Sequence, residues 1–256
     1  MKRICFDGDP LFAEKVNLEK IEEILTDLLK EGTVECWFYG CNQPIMDQAI
    51  EVIMKMRKVA PDTDITVIDV VDPLTAYVDS ADPAELEDED EFPPGVVDKF
   101  IAAPVFDGKA EHNPTCFITH QKKIRKWMCN QCDIIALYHY DLLPFSSITT
   151  IESMYKKGQI ELIKICDSNT IELIRKKAQI LEGEDSIFYQ RRIKGDTFKE
   201  MAELLNVSVP RIAQRTRMAI TKLGRIVKAE LKRQGKLYQS FPKLRYRLRD
   251  GIHGWQ

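Results

Sequence analysis

The spacing of apolar residues changes period several times along the chain, and each change marks a new element. Arg3–Phe6 reads as a short strand. Leu18, Ile21, Ile24, Leu25 and Leu28 then recur every three or four residues, as on a helix with one buried face. Gly32 punctuates it, and Val34–Tyr39 is a second apolar strand. Ile45, Ala49, Val52 and Met56 mark a helix over Gln43–Val59 that Pro61 stops. Ile65–Val71 is a third strand, rich in β-branched residues. A helix from Thr119 to Cys132, a strand at Ile134–Tyr138, a helix around Thr150–Lys157 and a strand at Glu161–Ile165 continue the alternation. Such alternation implies βαβ units and a parallel sheet, with right-handed crossovers that put helices on both faces. The expected fold class is α/β: a Rossmann-like parallel sheet flanked by helices over residues 1–168, followed by an all-α domain over residues 169–256.

After Cys166 the strand signals end. A helix from Asn169 to Leu181 opens the second domain, and three short helices follow between Asp185 and Gln234. The first carries Ile187, Phe188 and Ile193 and ends at Gly195. The second begins at Thr197-Phe-Lys-Glu200, a capping box, with Phe198, Met201, Ala202 and Leu205 as its core face. A tight Asn206-Val207-Ser208 leads into the third helix near Val209, with Ser208 as its N-cap. Pro210 is tolerated there because the first helical turn has no amide bond to lose.

Charge sharpens this division. The net charge is −3, but residues 171–256 carry 20 Lys and Arg against 9 Asp and Glu, net +11, and residues 1–170 are net −14. A basic half implies an anionic partner, either nucleic acid or an anionic membrane surface. No apolar run approaches the roughly 20 residues of a membrane span, and the start lacks the apolar stretch of a secretory signal, so the expected location is the cytoplasm. The acidic run Glu85–Glu91 reads as a solvated loop. All seven cysteines lie between Cys5 and Cys166, and Cys129-Asn-Gln-Cys132 has the spacing of a metal knuckle or redox pair. It has no second pair at zinc-finger spacing, so helix-end packing is the expected role and no metal is assigned.

At about 100° per residue, Ile212, Thr216, Ala219, Leu223 and Val227 share one face of the third helix. Pro210, Gln214, Arg217, Thr221 and Arg225 share the opposite face, with Arg211 and Met218 beside them. Such a helix fits the major groove of double-stranded DNA, where Arg reads guanine and Gln reads adenine. Ser208, Arg211, Gln214, Arg215, Arg217, Thr221, Lys222 and Arg225 are the DNA-binding candidates, with Arg215 and Lys222 on the flanks as phosphate contacts. The stretch Lys199-Glu-Met-Ala202, Leu205-Asn-Val-Ser208, Arg211-Ile-Ala-Gln214 and Ala219-Ile-Thr-Lys-Leu223 resembles region 4 of the bacterial sigma-70 family and related response-regulator helix-turn-helices. That resemblance implies a helix docked on a promoter element. The two positions before Arg211, base readers in that family, are Val209 and Pro210 here. No segment resembles the promoter-melting region 2, so a self-sufficient initiation factor is not expected.

The α/β part is similar to the SLOG superfamily (Smf and lonely-guy relatives). The matching pieces are Phe38-Tyr-Gly-Cys-Asn42 with Asp47-Gln-Ala49, Arg125 with Trp127-Met and Asp133-Ile-Ile-Ala136, and Ser146-Ser-Ile-Thr-Thr-Ile151. The resemblance implies a nucleotide or nucleotide-derived ligand. Physics places such a ligand beyond the C-terminal strand ends, at the topological switch point and on a helix N-terminus. The ligand-binding candidates are Gly40, Asn42, Asp47, Arg125, Ser146, Ser147, Thr149 and Thr150. No cofactor is assigned with certainty. The function expected is a DNA-binding transcriptional regulator with a ligand-sensing domain, more a binding protein than an enzyme. Two alternatives stand beside it: a nucleotide N-glycosidase of lonely-guy type, with Glu152 as its catalytic residue and a nucleic-acid-binding tail, or an adaptor that binds RNA polymerase. A homodimer is compatible with reading two half-sites.

Overall fold

The computed structural model describes residues 1–8, 12–39, 44–71, 95–104, 114–143 and 160–239. Six parallel strands form one sheet: β1 (Lys2–Gly8), β2 (Val34–Phe38), β3 (Ile65–Val71), β4 (Lys99–Ala102), β5 (Ile134–Tyr138) and β6 (Glu161–Ile165). Their spatial order is β4-β3-β2-β1-β5-β6. The chain builds outward from β1 in one direction, then crosses back to lay β5 on β1's other side, with Ile4 against Ile134 and Gly8 against Tyr138. The switch point therefore lies between β1 and β5. The Rossmann-like α/β fold expected from the alternating pattern is the fold observed.

Strand side chains alternate between two apolar layers, because successive residues point to opposite faces. Ile4, Phe6, Cys36, Phe38, Val67, Ile134 and Ala136 meet α1 (Asn17–Leu29) and α2 (Pro44–Val59) through Ile21, Leu25, Ile50 and Ile53. Cys5, Trp37, Ile68, Val70, Ile135 and Leu137 meet α3 (Pro114–Gln131) through Ile124, Met128 and Cys129. The Cys129-x-x-Cys132 pair lies at the end of α3, both residues buried, with Cys129 Sγ 3.9 Å from Cys5 Sγ. The Cys5 hydrogen bond and burial raise the Cys129 thiol well above the ordinary range.

Among the described residues, four helices follow the sheet: α4 (Ser168–Ala178), α5 (Gly183–Ile193), α6 (Phe198–Leu205) and α7 (Val209–Arg233). The third helix of the tri-helical unit is not short but 25 residues long. Ile174 of α4, Tyr189 of α5, and Ala219, Ile220, Leu223, Val227 and Leu231 of α7 belong to the same continuous apolar cluster as Ile4 and Phe6. The segment past α7 also returns to the residues that precede α1. Leu237 pairs antiparallel with Glu14, Lys15 donates to Lys236, and Tyr238 donates to Ala13. The helices after residue 169 thus share a core with the α/β layer.

Two buried acids read this core through pH. Burial, outweighing the nearby Arg57 charge, raises the Cys36 thiol from 9.0 to about 12, and burial raises the Tyr189 phenol from 10.0 to about 12. A raised folded-state value means the fold holds the proton more tightly than the unfolded chain does. Their contribution is therefore complete below pH 9 and drains away as pH rises toward 12. Urea midpoints should fall between pH 9 and pH 11, and less steeply in Cys36→Ala, once that variant's own cavity cost is subtracted at pH 7.

Candidate nucleic-acid interface and sheet-edge cleft

The helix-turn-helix is held by local chemistry that the chain spells out. Gly195, at φ 99°, closes α5 with a conformation that other residues rarely adopt. Thr197 then caps α6: its Oγ1 accepts from the Glu200 amide at 3.2 Å, and Glu200 accepts from the Thr197 amide at 2.7 Å. These bonds to Thr197 hold the Glu200 carboxyl below its usual range. Asn206 ends α6 at φ 51°, and its amide bonds back to Ala202. A second amide, that of Val207, also reaches the Ala202 carbonyl. Phe188, Met201, Ala202 and Ile212 form the unit's own small core, with Phe198, Leu205 and Val207 packed on it. Ser208 does occupy the N-cap of α7, but its side chain makes no capping bond. Pro210 stands at the second helical position and has no amide to offer it.

The buried stripe of α7 forces the opposite stripe outward. Arg211, Gln214, Arg217, Met218 and Arg225 are exposed, and Thr221 is half-buried among them. The flanks differ from the centre. Arg215 lies 3.7 Å from Glu184, and Lys222 donates to Asp185 at 3.0 Å, so both cations meet the first turn of α5. Among the described residues, Arg211, Arg217 and Arg225 take part in no ion pair. The helix thus carries an unneutralised central row of guanidinium groups between partly neutralised edges.

At the switch point the structure brings together residues that sequence reasoning passed over. Asp7 ends β1 nearly fully buried, accepts from the Gly8 amide at 2.7 Å, and meets Arg125 Nε of α3 at 3.4 Å. Of the ligand candidates, Arg125 is therefore at the β1 end, on the α3 side of the sheet. Asp47 is buried in the first turn of α2, on the opposite face. Asp69, two residues before the end of β3, and His139, just past β5, are also buried. The described part of this edge is thus richer in carboxylates than an anion site of Ser and Thr hydroxyls. Asp7 could have been found from its place, a carboxylate followed by glycine directly after the first apolar strand. Gly40, Asn42, Ser146, Ser147, Thr149, Thr150, Glu152 and the Glu85–Glu91 run lie outside the described residues.

Glu14, which sequence reasoning also missed, sits behind this edge. Its carboxylate is 2% exposed and accepts from Tyr138 at 2.6 Å, Tyr140 at 2.5 Å and Asn17 at 3.3 Å. Burial and this carboxylate together push the Tyr140 phenol upward. Tyr140 in turn accepts from the Asp167 amide at 3.0 Å, just before α4.

No family model and no curated protein matches the chain. Among solved structures it is similar to the two-component response regulator RcsB in complex with DNA, at 13% identity over 87% of this chain and 92% of that one, with a TM-score of 0.17. A second RcsB structure, from Salmonella typhimurium, gives 14% identity, the same coverage and the same TM-score of 0.17. A superposition this poor bears on neither mechanism nor partner. Among the described residues, no helix is long and apolar enough to cross a membrane.

The close approach at β1 provides a test of the edge's packing. A Cβ on Gly8 would lie 2.5 Å from the Tyr138 carbonyl oxygen and 2.7 Å from its Cβ. Gly8→Ala should cost about 1–3 kcal/mol by urea denaturation, since two paired strands must separate to admit it. An unchanged midpoint would show that the two strands are less tightly apposed.

Proposed function

We propose that the protein is a DNA-binding transcriptional regulator that docks α7 in the major groove. The observation that carries this reading is the exposed row Arg211, Gln214, Arg217 and Arg225, free of ion pairs on a helix whose other face is locked in the core. A helix of this kind fits the groove, and Arg and Gln are the side chains that form paired hydrogen bonds with guanine and adenine. The tight turn between α6 and α7, closed by Asn206 in the left-handed conformation, supports it, as does the resemblance to sigma-70 region 4. The α/β layer is then the sensing part. Its likeness to the SLOG superfamily and its switch point, with Arg125 as the described cation, support a nucleotide-derived ligand there.

The full chain should bind a random-sequence duplex pool with an affinity that falls linearly in log salt, with a slope of roughly −0.9 per phosphate contacted. A flat salt dependence, or no binding at low salt, would sink the reading. Arg211→Ala or Gln214→Ala should each cost about 1–3 kcal/mol and relax base preference at one position. Asp185→Asn should act in the opposite direction. It frees Lys222 from its partner and should strengthen binding to every sequence about equally, by electrophoretic mobility shift at moderate salt.

A further inference from the structure

We propose that α7 grips the two strands of the groove unequally: Arg217 holds a phosphate of one strand, while Glu184 and Asp185 of α5 hold off those of the other. The inference rests on the DNA-binding reading and assigns the residue that sets the helix's register in the groove.

At about 100° per residue, Arg215 and Arg217 point about 200° apart, so they leave α7 by opposite edges at nearly the same height. Thr216 and Leu223 are buried between them on the inner side, and Gln214 and Met218 are exposed between them on the outer side. Lys222 stands seven residues past Arg215, about two turns, and so shares its edge. The major groove is about 12 Å wide, and a helix with its side chains is about 10–12 Å across. With the outer side toward the bases, the two edges therefore face the phosphates of the two strands.

The two edges differ in charge. On one, Arg215 lies 3.7 Å from Glu184, and Lys222 donates to Asp185 at 3.0 Å. The packing of Phe188 on Ile212 keeps α5, and with it these acids, against α7. Glu184 is exposed and Asp185 half-buried, so a phosphate on that wall meets carboxylates together with the cations. On the other edge Arg217 is exposed, and among the described residues no carboxylate lies within ion-pair distance of it. The acids of α6 are engaged within their own helix: Glu200 caps it, and Glu203 lies 3.9 Å from Lys199. The duplex is therefore drawn to the Arg217 wall, and α7 seats against one strand. Such a phosphate contact fixes register and carries no base information.

The full chain is first used to select its preferred duplex from a random pool. Single phosphates of that duplex are then replaced by uncharged methylphosphonates, one at a time on each strand. At about 0.15 M salt, a position on one strand should weaken binding about fivefold, the counterion release of one contact. That position should lose its sensitivity in Arg217→Gln, whose base preference stays that of the wild type. Asp185→Asn and Glu184→Gln should each create a sensitive position on the opposite strand, across the groove, where the wild type has none. Arg217 makes no ion pair, so the melting temperature of Arg217→Gln should match the wild type, and melting of the two acid variants shows that they are folded. An Arg217→Gln protein that keeps every wild-type sensitivity, or that changes its base preference instead, overturns the inference while leaving DNA binding intact. Acid variants that both keep the wild-type pattern overturn it as well. A chain that binds no duplex overturns both readings.

Discussion

The apolar stripe of α7 serves two cores, and the rest of the structure follows from that. Near its start, Ile212 closes the small cluster with Phe188 and Met201 that sets the helix-turn-helix angle. From Ala219 onward, the same stripe runs into the cluster built on Ile4, Phe6 and Ile134 of the sheet. Each large aliphatic side chain fully buried contributes about 1.5–3 kcal/mol, so five such positions along one helix resist rotation about its axis. The outward row is thereby fixed in direction relative to the sheet. A helix that could roll would present Arg211 and Arg217 in no defined orientation, and groove recognition depends on orientation.

The connection between the two parts is polar as well as apolar. Residues 236–238 return to pair with 13–15, which follow the first strand in the chain. Glu14 lies at that crossing, its carboxylate held by Tyr138 and Tyr140 and its backbone carbonyl by the Gln48 side chain at 2.7 Å. A carboxylate is costly to bury unless its oxygens accept charge-assisted bonds, and two phenols and an amide supply them here. Tyr238 adds a bond of 2.8 Å to Glu51 on α2. The end of α7 is therefore tied to α2, to β5 and to the segment after β1. Cutting the chain before residue 169 would expose Ile174, Tyr189 and the inner face of α7, so an isolated helical fragment loses the packing these residues make with the sheet layer.

Much of this was legible in the sequence because the local signals were strong. Ile65–Val71, Ile134–Tyr138 and Glu161–Ile165 are runs of β-branched and aliphatic residues, and they form strands with those bounds. The capping box was readable because Thr197 and Glu200 stand at the only spacing that lets both bonds form. Strand β4 was not readable. Lys99-Phe-Ile-Ala is four residues long at the sheet edge, with Phe100 70% exposed, so it has neither a continuous apolar run nor a clean alternation. The shared core was hidden for another reason: an amphipathic stripe looks the same whether it packs within its own unit or against a sheet. Glu14 reads as an ordinary surface acid, since its phenol partners are 124 and 126 residues away. Of the candidate ligand residues, Asp47 and Arg125 can be placed, and they approach the sheet edge from opposite faces.

The ion pairs on the flanks of α7 bear on how such a helix would discriminate among sequences. Sequence-independent attraction comes from cations on phosphates, whereas selectivity comes from base edges. Here the two flank cations, Arg215 and Lys222, already face Glu184 and Asp185, while the central Arg211, Arg217 and Arg225 face solvent. A phosphate that approaches a flank must displace a carboxylate that stays nearby and repels it. The gain per flank contact is therefore smaller than for an unpaired lysine. Both flank pairs are partly exposed, so each is worth little in isolation and yields readily once central contacts form. On the DNA-binding reading, the acidic first turn of α5 lowers affinity for any duplex and leaves the base-reading row untouched. The difference between right and wrong sequences then rests on the row that the core holds in place.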